Sequence, residues 1–163
     1  KNTFNTTLEL KPIYSFGDKV LSMKMPLNKK YVESFSKNIF LFKSKKINEN
    51  FEHFLFFPNT TFASTMGIFS YMQTYFPISE RKTKVTTTIF FGKITEEKKY
   101  SLLIETLKKM AIKFNDEVFL EDKIIVEDLD KNIINGFEFS NFGKYEARIK
   151  HFRKLLWRKK FFL

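Results

Sequence analysis

The hydrophobic pattern of this chain changes its period near Thr95, and this change limits the fold more than any other feature. Before it, β-branched and aromatic residues form short runs, of which residues 85–94 are typical of a strand. After it, apolar residues recur every three or four positions, as on one face of a helix. Strands first and helices last predict an α+β fold with helices packed on an antiparallel sheet.

The strand-forming part divides at its turn residues. Pro58-Asn59 interrupts one run, and Gly67 is a turn candidate before the next. We expect residues 8–25 to be extended and residues 77–82 to form a turn. The predicted strands cover residues 38–43, 51–65 with the interruption, 68–76 and 85–94.

Three helices are predicted after the change of period. Thr95 can cap the first, whose apolar face carries Tyr100, Leu103, Leu107, Met110 and Phe114. The second is expected over residues 117–129, and Asn135-Gly136 is a turn candidate. The third is expected over residues 144–159, with an apolar stripe of Tyr145, Ile149, Phe152 and Leu156.

Length and composition set the domain organisation. The chain has 163 residues, of which 43% are hydrophobic, and these values suit a single domain. It contains no Cys, which excludes disulfides and thiolate metal sites and fits a cytoplasmic protein. It begins at Lys1 without an initiator Met or a signal pattern. We therefore expect residues 1–163 to be one partial domain of a longer protein.

The net charge of +11 raises the possibility of a nucleic-acid or membrane partner. No recognition motif accompanies the charge, and abundant Lys, Asn, Ile and Phe together indicate a biased codon usage. Residues 54–79 carry no charge, but Pro58, Asn59 and Gln73 interrupt any apolar helix face. A buried β-hairpin is the better interpretation, and we expect neither nucleic-acid binding nor membrane insertion.

One acidic residue lies where an apolar residue is expected. At helical spacing, Val118, Asp122, Ile125 and Leu129 share one stripe, whereas Glu121 lies beside it. A buried carboxylate needs a compensating cation, which could be Arg, Lys or a metal ion. If the helix is rotated, however, Asp122 lies on a solvated edge, and spacing alone slightly favours this alternative.

The two histidines give little support to a metal site. His53, His151 and Asp122 could in principle form a site of two histidines and one carboxylate, but nothing in their spacing indicates it. A packing or surface role is favoured for both histidines. The motifs of serine hydrolases, P-loop proteins and dinucleotide-binding proteins are also absent from the sequence.

A set of short segments occurs in a characteristic order: F-F-P-N at 56–59, P-I-S-E-R-K-T at 77–83, V-F-L-E-D-K-I-I-V-E at 118–127, G-F at 136–137 and Y-E-A-R-I-K-H-F at 145–152. Together, these segments resemble the C-terminal catalytic domain of the Rieske non-haem iron oxygenases, in particular the α-subunits of ring-hydroxylating oxygenases.

The resemblance implies a helix-grip (START/Bet v 1-like) fold, in which a curved antiparallel sheet and C-terminal helices enclose a cavity. It implies that Asp122 is the catalytic carboxylate ligand of a mononuclear Fe(II), with Glu121 in a supporting or structural position. The two histidine ligands and the domain of the Rieske [2Fe-2S] cluster would precede Lys1. This fragment alone would then be inactive.

The resemblance also implies an activity and partners. The full-length protein would activate O₂ to hydroxylate or oxidatively demethylate an organic small molecule, with electrons from a reductase or ferredoxin, as a homo-oligomer. Aromatic candidates for the pocket wall are Phe69, Tyr71, Tyr75, Phe90 and Phe91, although most of them are expected in the sheet core. The alternative hypothesis is a metal-free helix-grip domain that binds a hydrophobic small molecule.

Overall fold

Six strands in the described part of the chain pair in sequence order and form one antiparallel sheet. They are β1 (Ile13–Phe16), β2 (Val20–Pro26), β3 (Asn50–Phe56), β4 (Thr60–Thr65), β5 (Phe69–Ser79) and β6 (Lys82–Phe91). The computed structural model describes residues 12–37, 39–43, 47–94, 98–134, 143 and 146–158. Neighbouring antiparallel strands need only short connections, so this topology follows from the predicted order of strands and turns.

The predicted interruption and turn within the strand region are both confirmed. Residues 57–59 connect β3 to β4, with a cis peptide bond between Phe57 and Pro58. Met66 and Gly67 have φ values of 57° and 70°, and the Ile68 amide donates to the Thr65 carbonyl at 3.2 Å. Two consecutive positive φ values give the twist that suits a tight hairpin, and glycine adopts such a φ without strain.

Two predictions about strands are wrong. Residues 39–41 form a 3-10 turn instead of a strand, and only Phe42 makes a single bridge, to Ile94. The polar segment expected as a turn over residues 77–82 is mostly strand. Because β5 runs to Ser79 and β6 begins at Lys82, the turn itself is only two residues long. The predicted Thr95 cap and the Asn135-Gly136 turn lie outside the described residues.

Three α-helices occur in the described ranges: α1 (Lys29–Ser36), α2 (Ser101–Ile134) and α3 (Ala147–Arg158). Helix α1 was not predicted from the sequence. Its first turn is capped by Asn28, whose Oδ1 accepts a hydrogen bond from the Lys30 amide at 2.9 Å. This cap and the apolar spacing of Tyr31, Val32 and Phe35 are the signals that could have indicated the helix.

The two helices predicted between Thr95 and Leu129 are one continuous helix of 34 residues. No Gly or Pro interrupts the segment, so nothing in the backbone ends the helix at the expected boundary. The Lys113–Glu117 ion pair, with its atoms 3.8 Å apart, spans that boundary. Pairs at this spacing stabilise a helix only slightly, but here the pair favours continuation.

All three helices lie on the same face of the sheet, which we call the inner face. Paired residues of antiparallel strands project to the same side, and the register places His53, Ala63 and Tyr71 in one row of this face. Helix α1 packs on a core cluster that includes Phe51 and Ala63. Helix α3 reaches His53 through Arg148. The α+β helix-grip architecture predicted from the sequence is therefore confirmed.

The uncharged stretch of residues 54–79 forms the end of β3, then β4 and β5. This agrees with the predicted hairpin. Within the ranges that the structure describes, no helix combines the length and the apolar character needed to cross a membrane.

Candidate functional site

A cavity of about 580 Å³ lies between the inner face and α2. Strand residues Phe69, Tyr71 and Phe91 form its floor, and Tyr31 and Phe35 of α1 close one end. Its walls are largely apolar, with a few polar side chains among them. A cavity of this size and character is typical of sites that bind small organic molecules.

Helix α2 forms the roof of the cavity with the face predicted from its spacing. Leu103, Leu107, Met110 and Phe114 all line the cavity. Tyr100 does not line it, and packs instead against the core cluster of Leu41, Phe42 and Ile68, which also holds the first turns of the helix. Helical periodicity therefore identified the correct face of α2, and the structure shows that this face lines the cavity.

Asp122 lies on this same face of α2 and lines the cavity beside Val118 and Phe119. Its carboxylate is close enough to Tyr71 to contribute to the raised pKa of the phenol, after the larger effect of burial and the effect of Tyr75. The inward direction predicted for Asp122 is correct. Its side chain is nevertheless exposed, where the cavity meets solvent, which agrees with the solvated position that spacing slightly favoured.

The neighbours of Asp122 on its predicted stripe show why it is exposed. Ile125 and Leu129 are 58% and 40% exposed, whereas Val118 is partly buried. The side chains of α2 are exposed from Leu120 to Leu129, so the body of the domain covers the helix only up to Phe119. Glu121 is exposed and does not line the cavity, so the structure separates the two acidic residues as their spacing predicts.

The two histidines are engaged away from Asp122. Arg148 Nη1 donates a hydrogen bond to His53 Nδ1 at 2.6 Å, and the pKa of His53 is lowered to about 4, first by burial and then by the Arg148 charge. The ring of His151 packs on Phe16, with centroids 5.1 Å apart. Among the described residues, no group of three or more His, Asp or Glu side chains could hold a metal ion.

The wall aromatics were predicted with partial success. Phe69, Tyr71 and Phe91 line the cavity, but Tyr75 does not. Phe90 was placed wrongly: it follows the alternation of the strand to the outer face, where it is 43% exposed and its ring lies near that of Phe62.

Sequence reasoning missed two amides at the cavity, Gln73 of β5 and Asn115 of α2. Gln73 had a signal that could have found it, because it is a polar residue between two tyrosines in an uncharged strand and shares their face. Asn115 had none, because an isolated amide on a helix is usually solvated.

Comparison with known proteins identifies a family. The family model described as ring hydroxylating alpha subunit (catalytic domain) matches residues 19–159. No curated protein and no solved structure matches the chain. The matched range contains five complete strands, all three helices and the cavity, and its architecture agrees with the helix-grip fold. The chain therefore belongs to the ring hydroxylating alpha subunit (catalytic domain) family, which consists of oxygenase-type domains.

Proposed function

We propose that this chain forms the substrate-binding part of the catalytic domain of a Rieske-type oxygenase, and that Asp122 is one ligand of its mononuclear Fe(II). The position of Asp122 supports the proposal most directly. A carboxylate lies on a largely apolar helix face, at the mouth of an apolar cavity, in a chain of an oxygenase family. A carboxylate at this position can bind a metal ion beside an organic ligand.

The chain supplies only part of the ligand set that such an iron needs. Non-haem iron of this type takes two imidazoles and one carboxylate and keeps open positions for O₂. His53 is bonded to Arg148, and His151 packs on Phe16, so neither is arranged around Asp122. The residues that the structure describes therefore do not form a complete iron site. We propose that the two histidine ligands come from sequence before Lys1.

In the proposed enzyme, this chain binds and orients the substrate. The cavity removes apolar surface of a ligand from water, which favours binding by about 25 cal/mol per Å². Tyr71 and Asp122 form a polar end in this cavity, and the aromatic floor defines the space beside them. Hydroxylation or oxidative demethylation of a small organic molecule, with electrons from a reductase or ferredoxin, is the reaction that we propose for the whole protein.

An anaerobic titration of the isolated chain with Fe(II) tests the proposed division of ligands. Because one carboxylate is too few for a stable site, we expect weak binding without a fixed stoichiometry. Tight binding of one Fe(II) per chain would contradict the proposal. The upstream reading frame gives a second test, since it should encode a histidine pair with H-x-x-x-x-H spacing and the C-x-H…C-x-x-H motif of a Rieske cluster.

The second candidate is a metal-free domain that binds a hydrophobic small molecule. The observation that favours it is that this chain forms its apolar cavity by itself, whereas among the described residues Asp122 alone contributes a carboxylate to the cavity lining. The upstream sequence separates the two candidates. A start codon directly before Lys1 would favour the binding domain, and the histidine pair would favour the oxygenase.

A further inference from the structure

The wall of the cavity contains an amide that the protein holds in a fixed orientation. Gln73 lies on the inner face of β5 and lines the cavity. The Tyr75 hydroxyl donates to Gln73 Oε1 at 3.0 Å, and Gln73 Nε2 donates to Thr87 Oγ1 at 3.4 Å. One partner follows on the same strand and the other is the register neighbour on β6. Two contacts at opposite atoms fix both the position and the plane of the amide.

These contacts use only half of the hydrogen-bonding capacity of Gln73. A side-chain amide has two N–H donors and two acceptor lone pairs. The contacts to Tyr75 and Thr87 leave one N–H of Nε2 and one lone pair of Oε1. When a ligand supplies the missing hydrogen-bond partner of a polar group in an apolar cavity, the free energy of binding becomes more favourable. The protein therefore offers an oriented donor to a ligand in the cavity.

A second polar group beside Gln73 is also unused. Thr61 is the register neighbour of Gln73 on β4 and is 8% exposed. Its Oγ1 has no hydrogen-bond partner within the part of the chain that the structure describes. Most buried hydroxyl groups in proteins have a partner. This part of the inner face thus contains more polar groups than it pairs, although its surroundings are apolar.

The geometry points to Gln73 as a specificity-determining residue, whose amide donates a hydrogen bond to an oxygen of the ligand. The ligand class is a largely apolar organic molecule with one carbonyl or similar acceptor oxygen. Tyr71 and Gln73 follow each other on one strand face and are therefore about 7 Å apart. Tyr71 lies near Asp122, whose charge contributes to the raised pKa of the phenol. The Gln73 amide would therefore hold the ligand oxygen two residues along β5 from the end of the cavity that Asp122 lines. The inference rests on the proposed function where it takes this ligand to be the substrate.

Two probes of the same shape test the inference without iron. They are 2-acetylnaphthalene, which has a carbonyl oxygen, and 2-isopropenylnaphthalene, which has a CH₂ group in its place. Their dissociation constants are measured on the full chain by NMR titration. The variant is Gln73→Met, which keeps length and flexibility but removes both amide groups. The control is Met72→Leu, because Met72 is the preceding residue of β5 and lies on the outer face.

The ratio of the two dissociation constants is the readout, because it removes the general difference in hydrophobicity. We expect Gln73→Met to weaken the ketone about tenfold relative to the alkene, as for one lost hydrogen bond in an apolar site. Met72→Leu should leave the ratio unchanged. An unchanged ratio in Gln73→Met would overturn the inference, and so would a wild-type chain that binds neither probe.

A measurement on the wild-type chain makes the test independent of how the variant folds. The ketone, but not the alkene, should shift the side-chain NH₂ signals of Gln73. Equal shifts with both probes, or none with the ketone, would overturn the inference. Both probes are measured without iron, so their outcome does not depend on whether Asp122 binds iron. Failure of the proposed iron ligand is therefore distinguishable from failure of the ligand-binding inference.

Discussion

Helices α2 and α3 lie over the same face of the sheet, but they use it in opposite ways. Helix α3 has 12 residues and packs directly on the strands: Leu155 is 2% exposed, and Arg148 is bonded to His53. Helix α2 has 34 residues, yet Met110 and Phe114 on its inward side are 63% and 40% exposed. Helix α3 covers the sheet directly, whereas α2 is held away from the sheet and leaves the cavity between them.

This difference separates the part of the domain that provides stability from the part that binds. Contacts of α3 fill space, so they contribute to the free energy of folding. The apolar residues of α2 face a cavity of about 580 Å³, which a ligand can occupy. Asp122 and Asn115, which line the cavity, belong to α2, whereas Phe152, whose ring contacts that of Phe57, belongs to α3.

The largest expected effect comes from truncating matched leucines in the two helices. Leu155→Ala in α3 should lower the free energy of unfolding by about 3 kcal/mol, because it leaves a cavity in a packed region. Leu120→Ala in α2 should change it by less than about 0.5 kcal/mol, because Leu120 is 58% exposed. Urea unfolding measures both values. Equal losses would contradict the contrast between the helices.

The contact between α3 and β3 should make stability depend on pH. Since the pKa of His53 is lowered to about 4 from its ordinary 6.5, the unfolded chain binds a proton first as the pH falls. The contribution of neutral His53 is complete above pH 6.5 and is lost progressively down to about pH 4. The loss is at most about 3–4 kcal/mol, since one pKa unit corresponds to about 1.4 kcal/mol. Urea unfolding between pH 4 and pH 7 measures this slope.

The matched variant for this pH effect is His53→Gln, which keeps an acceptor for Arg148 but cannot titrate. Its stability should depend less on pH over the same interval, whereas its stability at pH 7 should change only modestly. A wild-type slope that persists in His53→Gln would assign the pH dependence to other groups and would remove the buried contact from the account of α3.

A smaller contrast is expected when an alanine of α2 and an alanine of the sheet opposite are each replaced by leucine. Ala111 of α2 lines the cavity, so Ala111→Leu should fill space and raise stability by about 0.5–1 kcal/mol, while weakening ligand binding. Ala63 of β4 is fully buried, so Ala63→Leu should overpack the core and lower stability by about 1–3 kcal/mol. Thermal unfolding decides the sign of each effect. Destabilisation by both variants would mean that the cavity has no room for additional atoms.

The sequence was sufficient to predict the fold class and the direction of Asp122, because both depend on local periodicity. The antiparallel order follows from the strand runs and their turns, and the face of α2 follows from residues such as Leu107 and Val118. Whether Asp122 is buried stayed open in the sequence, where spacing only slightly favoured a solvated edge. Spacing gives the direction of a side chain, but only the length of α2 relative to the sheet determines whether it meets solvent.

The errors in the predicted stripe of α3 and at Gln73 also have their origin in tertiary contacts. The predicted stripe of α3 included Ile149, which is 52% exposed, whereas Leu155 is the buried residue. The stripe was therefore rotated by about one residue, because the contacts of Arg148 and His151 with the strands set the orientation of the helix. Gln73 was missed for a related reason. Alternation along β5 gives its face, but not that the helix opposite stands away from it.

The role of Asp122 as an iron ligand is the central claim, and a matched pair of variants tests it most directly. Asp122→Asn and Glu121→Gln each remove one negative charge from adjacent positions of α2, but only Asp122 lines the cavity. The measurement is the mononuclear iron content of the protein encoded by the complete reading frame. We predict that Asp122→Asn loses this iron, with iron affinity reduced at least about tenfold, and that Glu121→Gln retains it. Full iron content in Asp122→Asn, or equal loss in both variants, would contradict the account.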